Sequence, residues 1–130
     1  MSFQRAPELH AAFYKKAIEI GSLSKLVSDY LKADLSALKP NGLEDSNIYF
    51  SGDIIRQSDS LAPEIIKAEK ELFFEQKHKH AETLKWLTNR LFTNFKRLEN
   101  CNSDGREFVS ILNKELHKFK KLQKNWMLTM

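Results

Sequence analysis

Apolar residues recur along this chain at steps of three and four, in four successive stretches. That period restricts it to amphipathic helices, because a half-buried strand needs steps of two. The first stripe is Phe13, Ala17, Ile20, Leu23, Val27, Tyr30, Leu31, Leu35 and Leu38. It predicts a helix over residues 7–38 with Pro7 in the first position, where a missing N–H costs nothing. Gly21 beside Ser22 is the weak point, since glycine inside a helix costs about 1 kcal/mol relative to alanine. The phase continues through it, so one helix is expected. Only 4 glycines and 3 prolines punctuate 130 residues, too few for the turns of an all-β chain.

Lys39-Pro40-Asn41-Gly42 carries strong turn chemistry, and the segment up to Ile48-Tyr49-Phe50 is expected to be the longest loop. Ser51 is placed to cap a second helix, with Asp53 in its first turn. The pattern Ile54, Ser58, Leu61, Ile65, Ala68, Leu72 runs straight through Pro63 and predicts one helix, 52–76, kinked at that proline. A third stripe, Leu84, Leu87, Leu91, Phe95 and Leu98, predicts a helix over 79–99. Its start is ambiguous: Glu75 to His80 is wholly polar yet contains no turn former. Either a tight connection sits there or one helix runs from Pro63 to Glu99. Matched lengths favour four helices joined by short loops. Asp104 and Glu107 have capping-box spacing and open a last helix, 104–127, with Phe108, Ile111, Leu112, Phe119, Leu122 and Trp126 on its apolar side.

The segment Ser60-Leu61-Ala62-Pro63-Glu64-Ile65-Ile66-Lys67-Ala68-Glu69, with one inserted position, resembles the kinked second helix of small four-helix bundle proteins encoded within ribosomal RNA genes. The likeness covers these residues alone and implies a proline-kinked bundle.

With 42% hydrophobic and 29% charged residues of both signs, the chain can bury a core, and its length suits one domain, 1–130. The expected fold is therefore all-α, an antiparallel up-and-down four-helix bundle. No apolar run approaches the roughly 20 residues that a membrane span needs, and no secretion leader is apparent. Cys101 is the only cysteine, so no intrachain disulfide forms, and the cytoplasm is the expected location.

Charge is uneven along the sequence. Residues 1–63 carry 7 Lys+Arg against 8 Asp+Glu, whereas residues 64–130 carry 14 against 9. Lys114, His117, Lys118, Lys120, Lys121 and Lys124 make the last helix basic, which is a candidate nucleic-acid face acting through salt-sensitive phosphate contacts. A solvated bundle face has the same composition, and no arginine-rich recognition helix, zinc finger or phosphate-binding glycine loop accompanies it.

Helical bundles also build metal sites from carboxylates and histidines. Glu75 and His78 form one Glu-x-x-His, and His78 with Glu82 an i, i+4 pair; a di-iron site would need two such motifs and two further glutamates. His10, His80 and His117 stand without spaced carboxylates in the sequence. His80 lacks the flanking pattern of a phosphotransfer histidine. Arg5 and His10 have the Arg-x4-His spacing of some helical ribonucleases, interrupted by Pro7. Cys101, in a polar turn, is expected to be an incidental thiol. No catalytic residue, cofactor or metal is assigned.

The aromatics give the positive clue. Phe73, Phe74, Trp86, Phe92 and Trp126 cannot all share one stripe of their helices, so some are expected at a partner interface. The expected function is protein–protein interaction without catalysis, with self-association. Nucleic-acid binding through the lysine face and a metal-carrying carboxylate/His bundle are the alternatives.

Overall fold

The computed structural model describes the backbone of residues 2–130 and the side chains of residues 10–130. It is an all-α bundle of five helical segments: α1 (Ser2–Leu35), α2 (Asn47–Asp59), α3 (Leu61–Lys70), α4 (Phe74–Leu98) and α5 (Arg106–Leu128). Segments α2 and α3 continue one another as a single broken rod, so four rods make the bundle. Each rod packs on its two neighbours, with α1 touching both the α2–α3 rod and α5, and α4 closing the square from the other corner.

Side-chain pairs fix the directions. Ser28 donates to the carbonyl of Ser51, whereas His10, near the other end of α1, meets Glu69 near the end of α3, so these rods are antiparallel. Gln57 pairs with Asn94 and Glu64 with His80. Phe13 stacks on Phe119 at 4.7 Å and Tyr30 meets Phe108 at 5.6 Å. Every adjacent pair thus runs up and down. The core holds the expected stripes, including Phe13, Ile20, Ile54, Ile65, Leu84, Leu91, Phe95 and Phe119, and adds Val109 and Leu116 on α5.

Gly21 does not interrupt α1. It is buried against α2, where a Cβ would lie 3.1 Å from Asp59 Oδ1 and 3.9 Å from the Ser58 carbonyl oxygen. Ser24, Ser28, Ser51 and Ser58 are buried in the same two helices, and small side chains let backbones approach. The loop after α1 has the turn chemistry expected of it: the Gly42 N–H donates to Lys39 O at 2.8 Å, with Gly42 at φ 80°.

Several boundaries differ from expectation. Helix α1 starts at Ser2 rather than 7, and ends at Leu35 rather than 38. Helix α2 starts at Asn47, so Ile48, Tyr49 and Phe50 are helical and Ser51 is an interior residue, its hydroxyl bonded to Ile48 O, not a cap. The turn into α2 is made by Asp45, whose carboxylate accepts the Asn47 N–H at 3.0 Å. The break in the second rod lies at Ser60, and the rod stops at Lys70. Pro63 causes it from downstream: with no N–H it cannot bond the carbonyl of Asp59, four residues earlier. The chain reverses through Glu71, Leu72 and Phe73, and Glu71 and Phe73 are extended, so the polar run Glu75 to His80 forms the first turns of α4. The capping box at Asp104 is not made. Helix α5 begins at Arg106, and Ser103 shapes the turn before it, accepting the Gly105 N–H while donating to Asp34 of α1.

Candidate functional site

Helices α4 and α5 bury their stripes side by side and leave the residues on one shared flank at the surface. On α4 these are Lys85, Asn89, Phe92 and Lys96, at helical steps. On α5 they are His117, Lys120 and Lys124. Phe92, half-buried, is the centre of the seam: Lys120 Nζ lies 4.7 Å from its ring centroid, Lys96 Nζ lies 5.7 Å from it, and the His117 ring meets it edge-on at 5.8 Å. Toward the C-terminal end of α5 the seam opens into a groove of about 440 Å³. Lys85, Lys120 and Lys124 surround it, Asn89 and Gln123 supply carboxamides, and Met127 and Leu128 form its apolar part.

The basic face expected from sequence is therefore divided. Lys120 and Lys124 turn toward α4, with His117 beside them, while Lys114, Lys118 and Lys121 are exposed outside the groove. Lys118 is engaged by Glu115 at 3.0 Å. The contribution of Lys85 and Asn89 was not legible in the sequence, because it depends on which flank of α4 packs beside α5.

The five aromatics do not form one surface. Trp126 is 4% exposed; its ring lies 5.1 Å from Phe13 and its indole N–H donates to Glu69 at 2.8 Å. It is a core residue, which corrects its place in the expected interface. Phe92 is covered as described above. Phe73, Phe74 and Trp86 are exposed, Phe74 stacking on His78 and Trp86 under the Arg90 guanidinium at 5.5 Å. Trp86 lies twelve residues along α4 from Phe74, roughly 18 Å at 1.5 Å per residue, so the two belong to separate regions.

A different apolar surface lies between α1 and α5. Leu23, Leu26, Val27, Tyr30 and Phe108 enclose a cleft of about 290 Å³, and Ile111 extends it along α5. Leu26 is 67% exposed, with Tyr30, Phe108 and Ile111 each about half exposed. Phe108 and Ile111 were expected in the core; they flank the true stripe of Val109, Leu112 and Leu116. Beyond the cleft an ion-pair chain joins the same helices. Lys16 reaches Glu19 at 2.9 Å and Glu115 at 2.7 Å, and Glu115 also holds Lys118. The Lys16 hydrogen bond, reinforced by Lys118, holds the Glu115 carboxyl below its ordinary range, and Glu115 in turn raises Lys16.

His10 and His80 meet carboxylates from other parts of the fold, whereas His78 meets one on its own helix. His10 Nδ1 lies 3.0 Å from Glu69 Oε1, the oxygen that also accepts the Trp126 indole, and His10 Nε2 lies 3.4 Å from Thr129 Oγ1. Thr129 donates its hydroxyl to the Trp126 carbonyl at 2.6 Å, so the hydroxyl is not presented as a nucleophile, and the cluster ties α1, α3 and α5 together. The Arg5 side chain lies outside the described residues. His80 sits between Glu64 at 3.1 Å and Glu71 at 3.5 Å. His78 is 3.7 Å from Glu82, both exposed, and among the described residues no three His, Cys, Asp or Glu side chains converge as a ligand set. Cys101 is buried, and that burial, with Asp45 nearby, pushes its thiol up. Among the described residues no helix is long and apolar enough to cross a membrane. Compared with family models, curated proteins and solved structures, the chain matches none.

Proposed function

We propose that this protein acts by protein–protein interaction, pairing with a second copy of itself through the apolar cleft of α1 and α5. The observation that carries the reading is the contiguity of Leu23, Leu26, Val27, Tyr30, Phe108 and Ile111, all on one face and rimmed at one end by the Lys16, Glu19, Glu115 and Lys118 ion pairs. An apolar centre with a polar rim is the anatomy of an interface. The patch also contains its own complement, since it has protruding side chains, Leu26 and Ile111, beside a cleft, and charges of both signs at its edge. A two-fold pair requires that self-complementarity. The same reading assigns the chain to a reducing compartment such as the cytoplasm, with Cys101 as its single buried thiol.

Sedimentation or light scattering across concentration tests the pairing. The expected mass is twice 15.2 kDa at high concentration, with Leu26→Glu and Ile111→Glu each returning the chain to 15.2 kDa. Both positions are already exposed, so the variants should fold. A wild-type chain that remains at 15.2 kDa throughout overturns self-pairing.

A further inference from the structure

The groove between α4 and α5 combines three features that the bundle itself does not require. First, Lys85, Lys120 and Lys124 converge on it with no carboxylate among its lining residues, and none of the three has an ion-pair partner among the described residues. Four lysines elsewhere, Lys16, Lys67, Lys96 and Lys118, have a carboxylate partner, whereas these three are gathered on one groove without one. Second, Gln123 occupies a position in the core stripe of α5, is 5% exposed, and leaves its amide nitrogen without a hydrogen-bond partner while lining the groove. A buried donor with no acceptor is costly and calls for an explanation. The nitrogen is buried in this conformer, and a turn about the last side-chain torsion, which is broad and roughly two-fold, would be needed to present its N–H to a ligand. Third, apart from Asn89, the remaining lining is apolar: Met127 packs on the core and Leu128 is 77% exposed.

We propose that this groove binds a small organic anion, a phosphate monoester or carboxylate carried on an apolar body. The anion would be held by the three ammonium groups and would supply the acceptor that Gln123 lacks, and its apolar body would cover Met127 and Leu128. The volume of about 440 Å³ lies in the range of about 300 to 1,000 Å³ that small-molecule sites occupy. Charge alone would equally suit a nucleic acid, but the geometry favours the small ligand. The donors gather on one open groove with an apolar end, whereas Lys114 and Lys121, which an extended phosphate backbone would use, lie outside it, and Lys118 is engaged by Glu115.

Titration of the full nitrogen-15-labelled chain with naphthyl phosphate, followed by nuclear magnetic resonance, tests this, with inorganic phosphate and naphthol titrated separately. Amide shifts should concentrate at Lys85, Asn89, Gln123 and Met127, and naphthyl phosphate should bind about tenfold or more tightly than either half alone. Lys120→Glu and Lys124→Glu should each weaken it by about tenfold or more, the loss expected for one hydrogen bond to a charged group. Gln123→Leu should also weaken binding while leaving the Tm of the free protein unchanged or higher, which a purely structural glutamine would not do. Shifts scattered over the surface or centred on the α1–α5 cleft would overturn the proposal, as would a Gln123→Leu variant with unchanged affinity. Tighter binding of a single-stranded oligonucleotide, steeply salt-dependent and lost on changing Lys114, Lys118 and Lys121 to glutamate, would overturn it in favour of nucleic acid.

Discussion

Gly105 is the glycine with least room for a side chain. A Cβ there would stand 2.7 Å from Tyr30 Cδ1 and 2.9 Å from Leu31 Cδ2, both on α1, because the turn into α5 is pressed against that helix. Gly105→Ala should therefore destabilise the fold by about 1–3 kcal/mol, the usual cost of overpacking, measured as a lower denaturation midpoint at unchanged slope. An unaltered midpoint would show that α1 yields without cost. The residues around Gly105 also explain why the capping box at Asp104 fails. Ser103 is 2.5 Å from Asp34 of α1, so its hydroxyl is fixed by a residue distant in sequence and takes the Gly105 N–H. Local spacing at Asp104 and Glu107 carried no sign of Asp34. His10 and His80 follow the same logic, since their carboxylate partners are on other helices.

At the level of elements, the period of the apolar residues placed all four rods, but their ends depended on neighbours. The polar run before His80 gave no turn signal and contains no turn; the reversal falls at Glu71 to Phe73, where α3 can turn back onto α4. Between α1 and α5 the buried stripes are aided by Lys16 and Glu115, whose linkage to pH has a defined sign. Glu115 has a folded-state pKa below its ordinary 4.5, so its contribution is present above that value and lost as pH falls through the lower one. Lys16 has a folded-state pKa above 10.5, so its contribution is present below that value and lost as pH rises through the higher one. Glu115→Gln should cost about 1 kcal/mol or less at neutral pH, and should flatten the acid side of a plot of unfolding free energy against pH. An acid limb of the same steepness in the variant would show that other carboxylates dominate it.

The whole molecule presents two surfaces on either side of α5, the apolar cleft toward α1 and the basic groove toward α4. Because the buried stripe of α5 separates them, they should be energetically independent, as sites without shared partners usually are. Leu26→Glu, which should abolish pairing, is expected to leave the affinity for naphthyl phosphate within about twofold of wild type. A larger change would mean that pairing and ligand binding are coupled, so that the groove exists in its competent form in only one association state.

The sequence by itself determined the fold class, the four rods, the turn at Lys39 to Gly42 and the residues that fill most of the core. These follow from helical period and local turn chemistry, which act within a few residues of each other. It also identified a surplus of aromatics and a basic last helix, yet assigned Trp126, Phe108 and Ile111 to the wrong environments. Those environments depend on the rotation of each helix about its axis, which is set by packing against partners far along the chain. Only the tertiary structure decided that Trp126 is core, that Leu26 meets Phe108 across a cleft, and that Lys85 of α4 joins Lys120 and Lys124 of α5. A side chain's spacing fixes its face, whereas what that face meets is a property of the assembled bundle.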